Sequence, residues 1–374
     1  MLNLNICLVD FSEQAFSFHS IYTQVMPRPQ LELLYLATAL AVRPNRVTVM
    51  SDRDKAQQEG QIGFVPLPRD PATYWADAGF DVVVCMDSLA GGSEIRPYLP
   101  AGVPLVLWSH LSPKHVAMLP LQHESVRALW SAFVCESFYL MDVYHEQYQL
   151  PVQKCHYRWP TIVRTLRKRF TTSTQLAAMR EKQMTMAYTA HPAYGLGQAL
   201  DMFARLKQDT PELRLRVLLK PGFEPELEPE AVHQLLQRCR ETPDTEVLNP
   251  MPWPSYAEKL LGCHLLCHPL AFQDLGCGEM IDALAAGCLT VACEHPGLKE
   301  VGAEPVYWLP PVPTEDYFER YCAKLAEILA LFKEKPERML TLSFRQIARF
   351  NAFFTWDVRV WEWESLFFQL TVNS

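Results

Sequence analysis

The sequence predicts an α/β chain built as two successive parallel-sheet domains. Two observations carry this. Short, continuously apolar runs alternate with amphipathic helical segments through the first part of the chain, and after a polar break the same alternation begins again. Apolar runs of strand length joined by helices are buried on both faces, as in a parallel sheet with helices packed on either side. The chain has 374 residues, 49% of them apolar and 20% charged, enough for two domains with a core each.

The elements follow in order. Ile6–Asp10 reads as the first strand, Phe11–Arg28 as a long aromatic loop, and Pro29–Ala41 has helical periodicity, with Leu31, Leu34, Leu36 and Leu40 near one face. Arg46–Met50 is the second strand, Gln61–Leu67 an edge strand, and Asp81–Met86, Val103–Trp108 and Ala132–Cys135 are further buried strands. Between Trp159 and Arg180 the pattern breaks, with Pro160, the basic run Arg164, Arg167, Lys168, Arg169, and the polar Thr171-Thr172-Ser173-Thr174; the interdomain linker is expected there. The alternation resumes with a strand at Thr185–Ala190, a helix at Gly195–Lys207, a strand at Leu213–Lys220, a helix at Ala231–Arg240, a short strand at Glu246–Leu248 and a helix at Tyr256–Leu261. The expected division is residues 1–165, 166–350 and a closing segment 351–374.

The most informative stretch is Leu265 to Val301. A buried strand (Leu265, Leu266) ends at His268-Pro269, and a short loop carries Asp274. A glycine turn, Gly276-Cys277-Gly278, then leads into a helix through Glu279, Met280, Asp282 and Leu284, which Gly287 closes before the strand Cys288–Ala292. Glycines let backbone approach a ligand closely, and N–H groups at a helix start bind phosphate oxygens. Acid, glycine turn, helix start and second acid fall where a parallel sheet opens its ligand crevice.

Composition excludes some functions. A net charge of −8 argues against a general nucleic-acid binder. Eleven cysteines without framework spacing fit a reducing compartment. Met1–Asp10 has no basic start and reads as strand rather than signal peptide, and no window approaches a membrane-spanning apolar length, so a cytoplasmic protein is expected. The basic run Arg164–Arg169 could touch the inner face of an anionic membrane holding a lipid-linked acceptor, although such a run is more often a solvated face. Cys263-His264-Leu265-Leu266-Cys267-His268 invites a metal reading, but alternation in a strand sends the cysteines one way and the histidines the other, and no second cluster follows; no metal is expected.

The Leu265–Val301 stretch resembles the nucleotide-sugar site of family 4-type glycosyltransferases of the GT-B fold. Those enzymes carry two Glu separated by seven residues, then Ala-Met/Leu-Ala-Ala/Cys-Gly. Here Asp274 and Asp282 have that spacing, followed by Ala283-Leu284-Ala285-Ala286-Gly287, and Gly297-Leu298-Lys299-Glu300-Val301 matches the family's downstream turn. Thr355-Trp356-Asp357 with Trp361, Trp363 and Leu366-Phe367 is similar to its closing helix. The resemblance implies two Rossmann-like domains facing a cleft, the closing helix crossing back to the first, and transfer of a sugar from a nucleotide diphosphate donor, with retention, to a glycan, glycolipid or small-molecule acceptor. It implies Asp274 beside the donor sugar, Asp282 on the ribose, the turn Gly276-Cys277-Gly278 on phosphate, and His110, in Trp108-Ser109-His110, approaching from the first domain. No bound cofactor or metal is implied.

One part of the pattern is missing. The family holds the diphosphate with an Arg and a Lys after the second domain's first strand; here that loop reads Thr189-Ala190-His191-Pro192-Ala193-Tyr194-Gly195, with Tyr194 at the Lys position. Lys220 or Lys299 could substitute, and Arg28 could bring charge to the cleft. The departure keeps two alternatives open: a non-catalytic GT-B scaffold or partner subunit, and a nucleotide-sugar epimerase or hydrolase.

Overall fold

The computed structural model describes residues 3–221, 223, 228–269, 278–301, 306–310 and 316–372. The first lobe holds eight strands: β1 Asn5–Asp10, β2 Arg46–Ser51, β3 Gln57–Glu59, β4 Ile62–Pro66, β5 Val82–Met86, β6 Leu105–Ser109, β7 Ala132–Cys135 and β8 Cys155–Tyr157. The second holds six: β9 Thr185–Tyr188, β10 Arg214–Leu218, β11 Thr245–Leu248, β12 Leu265–Cys267, β13 Leu289–Cys293 and β14 Val306–Leu309. The sheet orders are β3-β4-β2-β1-β5-β6-β7-β8 and β11-β10-β9-β12-β13-β14. All pairings are parallel except β3 with β4.

The central strands are buried because their sequences are apolar on both faces. Every residue of β5 (VVVCM), β6 (LVLWS), β7 (AFVC) and β13 (LTVAC) is buried, as doubly covered parallel strands require. In both sheets the strand order reverses beside the first strand of the lobe, β1 or β9, so the C-terminal ends of β1 and β5, and of β9 and β12, flank the crevice where such sheets take ligands.

Three expectations change. Gln61–Leu67 is not the edge: β3 pairs outside β4 as an antiparallel hairpin, a short polar strand that alternation did not reveal. The segment Gly297–Val301, expected as a turn, belongs to a helix, Pro296–Val301. The stretch Phe11–Arg28, expected as loop, contains a helical turn at Ser20–Thr23. The expected helix starting at Pro29 runs Arg28–Ala41, with Pro27 as N-cap and Pro29 in its first turn, where a missing N–H costs nothing.

The closing helix, Trp356–Val372, crosses back onto the first lobe. Trp363 is fully buried against Trp108, ring centroids 5.0 Å apart. Arg43 lies over the Trp361 ring at 3.8 Å and pairs with Glu364 at 2.8 Å.

The helix Gly278–Ala285 ends on Gly287, whose φ is +83°. The Gly287 N–H donates to the Leu284 carbonyl and the Cys288 N–H to that of Ala283, both at 2.9 Å, a paired closure that needs a left-handed residue. A Cβ on Gly287 would also lie 2.9 Å from Ile347 Cδ1. Gly287→Ala is therefore expected to lower stability by about 1–2 kcal/mol, read as a drop in the urea midpoint at unchanged slope.

Candidate functional site

The two lobes meet with the C-terminal ends of their sheets turned toward each other, and the contacts between them are specific. Trp253 Nε1 donates to the Met26 carbonyl at 2.9 Å. Glu300 accepts the Phe138 and Tyr139 backbone N–H groups at 2.8 and 2.6 Å, so a second-lobe carboxylate caps the first-lobe helix Phe138–Tyr148. An acid at that end also meets the helix dipole favourably.

The central contact is Arg28. Its Nε donates to Glu32 Oε1 at 2.9 Å, one terminal nitrogen to Asp282 and the other to the Thr161 carbonyl. Asp282 also accepts the Val163 backbone N–H at 3.1 Å. The second acid of the Leu265–Val301 stretch is thus almost fully buried and engaged by the first lobe and the linker. Burial raises its pKa, and Arg28 pulls the other way.

Around this bridge lie further ionisable groups just past strand ends. His110 follows β6 and Asp87 follows β5; Asp87 accepts the His110 backbone N–H at 2.6 Å and faces its Nδ1 at 3.0 Å. Burial by itself would lower the His110 pKa; Asp87, with Glu136 and Glu32, reverses this and holds it at about 9. Glu136 follows β7. Burial raises it to about 7, against the pull of His110 and Arg28. Lys220, beyond β10, is lowered to about 8 by burial and by Arg28, which Glu136 and Asp282 oppose. Lys220 and Arg28 line one cavity of about 470 Å³ between the lobes, with Pro29, Ala190, His191 and Glu228.

The other expected site residues fall as follows. Gly278 opens the Asp282 helix. Asp274, Gly276 and Cys277 lie outside the described residues. Gly195 is the N-cap of the helix Leu196–Asp209 at φ +103°, a conformation that favours glycine, and Tyr194 precedes it with its ring 5.0 Å from that of His191. His191 itself is paired with Glu228 at 2.8 Å. Lys299 is exposed and paired with Glu294 at 3.2 Å. Of the basic run, Arg167 pairs with Asp357, Arg169 with Glu258 at 2.7 Å, and Arg164 lies over the Tyr35 ring. Cys263, His264 and His268 have separate contacts: Arg216 on the Cys263 thiol, Thr185 N–H on His264 Nδ1, and the Tyr321 hydroxyl accepting from the His268 N–H. Among the described residues no group of three or more His, Cys, Asp or Glu is placed to hold a metal ion.

Asp87, Glu136 and Glu32 were not singled out from the sequence. The first two carry a readable signal: each is an acid directly after a fully apolar strand (VVVCM-Asp87, AFVC-Glu136), the position that drew attention to His110.

Comparison with solved structures matches the whole two-lobed arrangement. A sucrose-phosphate synthase from Thermosynechococcus elongatus superposes with a TM-score of 0.70 over 100% of both chains, at 14% identity. The fold is GT-B. HepE of Anabaena, in complex with UDP and glucose, gives 0.69 at 15% identity over 97% of this chain and 99% of that one. The catalytic domain of starch synthase IV from Arabidopsis thaliana, bound to ADP and acarbose, gives 0.68 at 11% identity over 99% and 100%. No protein-family model matches the chain, and no curated protein matches it. Among the described residues no helix is long and apolar enough to cross a membrane.

Proposed function

We propose that this GT-B chain is a glycosyltransferase that takes a sugar from a nucleotide diphosphate donor, with retention. The observation that carries the reading is the cleft between the sheet ends, where ionisable side chains from both lobes converge on one cavity. In this reading the donor lies against the second lobe. The amides at Gly278 and the preceding turn and the Lys220 ammonium face the diphosphate, and Asp274 lies beside the sugar. The acceptor, a glycan, glycolipid or small molecule, enters from the first lobe, where His110 sits. Amides and a cation would stabilise the departing diphosphate electrostatically, and lobe closure would keep water from the donor. No metal is required. Solved GT-B neighbours bound to UDP, glucose and ADP support the donor class.

A panel of nucleoside diphosphates and their sugars, read by thermal shift, tests this. Ligands that bind only the folded state raise the melting temperature by mass action. A selective shift names the base; no shift with any nucleotide at millimolar concentration removes the reading. Lys220 adds a pH signature. It is charged below about 8 and neutral above, so nucleoside diphosphate affinity is expected to fall about tenfold between pH 7 and 9, the value of one charge-assisted hydrogen bond. Lys220→Ala should bind at the weaker level throughout, with a flat profile.

The second reading is a non-catalytic GT-B scaffold. It is favoured by the Arg28–Asp282 bridge, which occupies the carboxylate meant for ribose, and by the carboxylates Glu32, Asp87 and Glu136 in a cleft that would have to hold a diphosphate.

A further inference from the structure

The C-terminal edge of the first-lobe sheet carries Asp87, His110 and Glu136 after three adjacent strands, β5, β6 and β7. Asp87 is in an unusual backbone state. Its φ is +53°, a region that side chains other than glycine, asparagine and aspartate rarely enter. Its backbone N–H donates to the Trp108 carbonyl at 2.9 Å, which fixes it to the end of β6. In that position its two oxygens reach both the backbone N–H and Nδ1 of His110, at 2.6 and 3.0 Å. The imidazole packs on Trp108, centroids 4.9 Å apart, and its side chain is only 6% exposed. Nε2, at the opposite edge of the ring, is buried and has no partner among the described residues.

A buried ring nitrogen without a partner is costly unless a ligand supplies one. We infer that Asp87 is a positioning residue that grips His110 at its backbone and at Nδ1, fixing the orientation of the ring and, in its neutral form, the Nδ1–H tautomer, and leaving Nε2 for a ligand oxygen. Only the identity of that ligand rests on the transferase reading. Among the described residues, the charged groups that act most strongly on His110 are Asp87 after β5, Glu136 after β7 and Glu32 from the Arg28 helix, all acidic. They keep the ring protonated at neutral pH, so Nε2–H donates. A ring held this way binds an oxygen and does not accept a proton. The surrounding carboxylates favour a neutral hydroxyl over a phosphate at Nε2, because a hydroxyl accepts from His110 without the repulsion that Asp87, Glu136 and Glu32 impose on a phosphate.

The test is an NMR titration of the histidine-labelled full chain, with the His110 signal assigned by its loss in His110→Gln. In the wild type, His110 is expected to titrate above pH 8, and the neutral ring above that point to carry its proton on Nδ1. Asp87→Asn keeps an oxygen and tolerates the positive φ, so it removes charge with little change of shape; it should lower the His110 midpoint by at least one pH unit. Glu136→Gln should lower it by less. A wild-type ring protonated at Nε2 when neutral overturns the proposal without any variant. So does an unchanged midpoint in an Asp87→Asn chain that is folded by circular dichroism. Donor turnover is read separately. Asp87→Asn is expected to reduce kcat at least tenfold with the donor KM little changed. If the wild type turns over no nucleotide sugar, the transferase reading fails while the titration still decides Asp87.

Discussion

Asp282→Ala is expected to destabilise the chain by about 3–5 kcal/mol, because it strands a buried arginine. Arg28 spreads its donors over Glu32, Asp282 and the Thr161 carbonyl, and it is mostly buried. Without Asp282 its guanidinium keeps one carboxylate and a carbonyl, and the Val163 N–H loses its acceptor. Arg28→Gln should cost a similar amount by leaving Asp282 and Glu32 facing each other. The double variant Arg28→Met with Asp282→Leu should fall well short of the sum, since removing a buried pair outright also removes its desolvation. The direction of the Asp282 pKa supports this: burial outweighs Arg28 and raises it. The sign follows. Between the unfolded carboxylate value and the raised folded one, the folded state binds more protons, so stability contributed by this group falls as pH rises through that window. At neutral pH the Asp282 charge therefore works against folding on its own, and the bridge orients the lobes more than it stabilises them. Chemical denaturation of the two singles and the double decides it; full additivity would mean that the two side chains do not interact.

Two single variants of the same bridge, Asp282→Asn and Arg28→Gln, separate the two functional readings. If Asp282 exchanges Arg28 for a ribose when the donor binds, Asp282→Asn loses nucleotide affinity and Arg28→Gln gains it. If the bridge is purely structural, neither variant changes any nucleotide affinity.

Trp363→Ala should cost about 3–5 kcal/mol, the range for emptying a large aromatic from a packed core. Trp363 is fully buried, stacked edge-on to Trp108 at 5.0 Å and tilted against Phe367 at 5.6 Å. Trp108 in turn meets Trp356 at 6.4 Å and His110 at 4.9 Å. The cavity would thus open beneath the β6 end that carries His110, so the loss should appear both in the denaturation midpoint and in the His110 titration. Trp361→Ala, on the exposed side of the same helix, should cost much less, since it removes mainly the stacking on Arg43. Equal losses for both would mean that the helix is not docked through Trp363.

Much of the architecture was present in local pattern. Apolar runs such as Asp81–Met86 and Ala132–Cys135 are typical of doubly covered strands, and Gly287 after Asp282-Ala283-Leu284 reads as the close of a helix, because burial and backbone conformation leave a mark on neighbouring residues. His110 and Lys220 were readable for the same reason, as polar residues at strand ends. β3 was missed because a three-residue polar edge strand has no apolar alternation to read.

The sequence by itself determined the two βα series and the helix that opens at Gly278. Only the tertiary structure decided what the charges do. Arg28 and Asp282 are 254 residues apart and Asp87 and His110 are 23 apart. No periodicity links such partners, since their meeting depends on how the lobes and adjacent strand ends pack. A carboxylate that a family pattern assigns to ribose is held here by an arginine of the opposite lobe, because Coulomb attraction in a buried site acts on proximity in space and carries no trace of order along the chain.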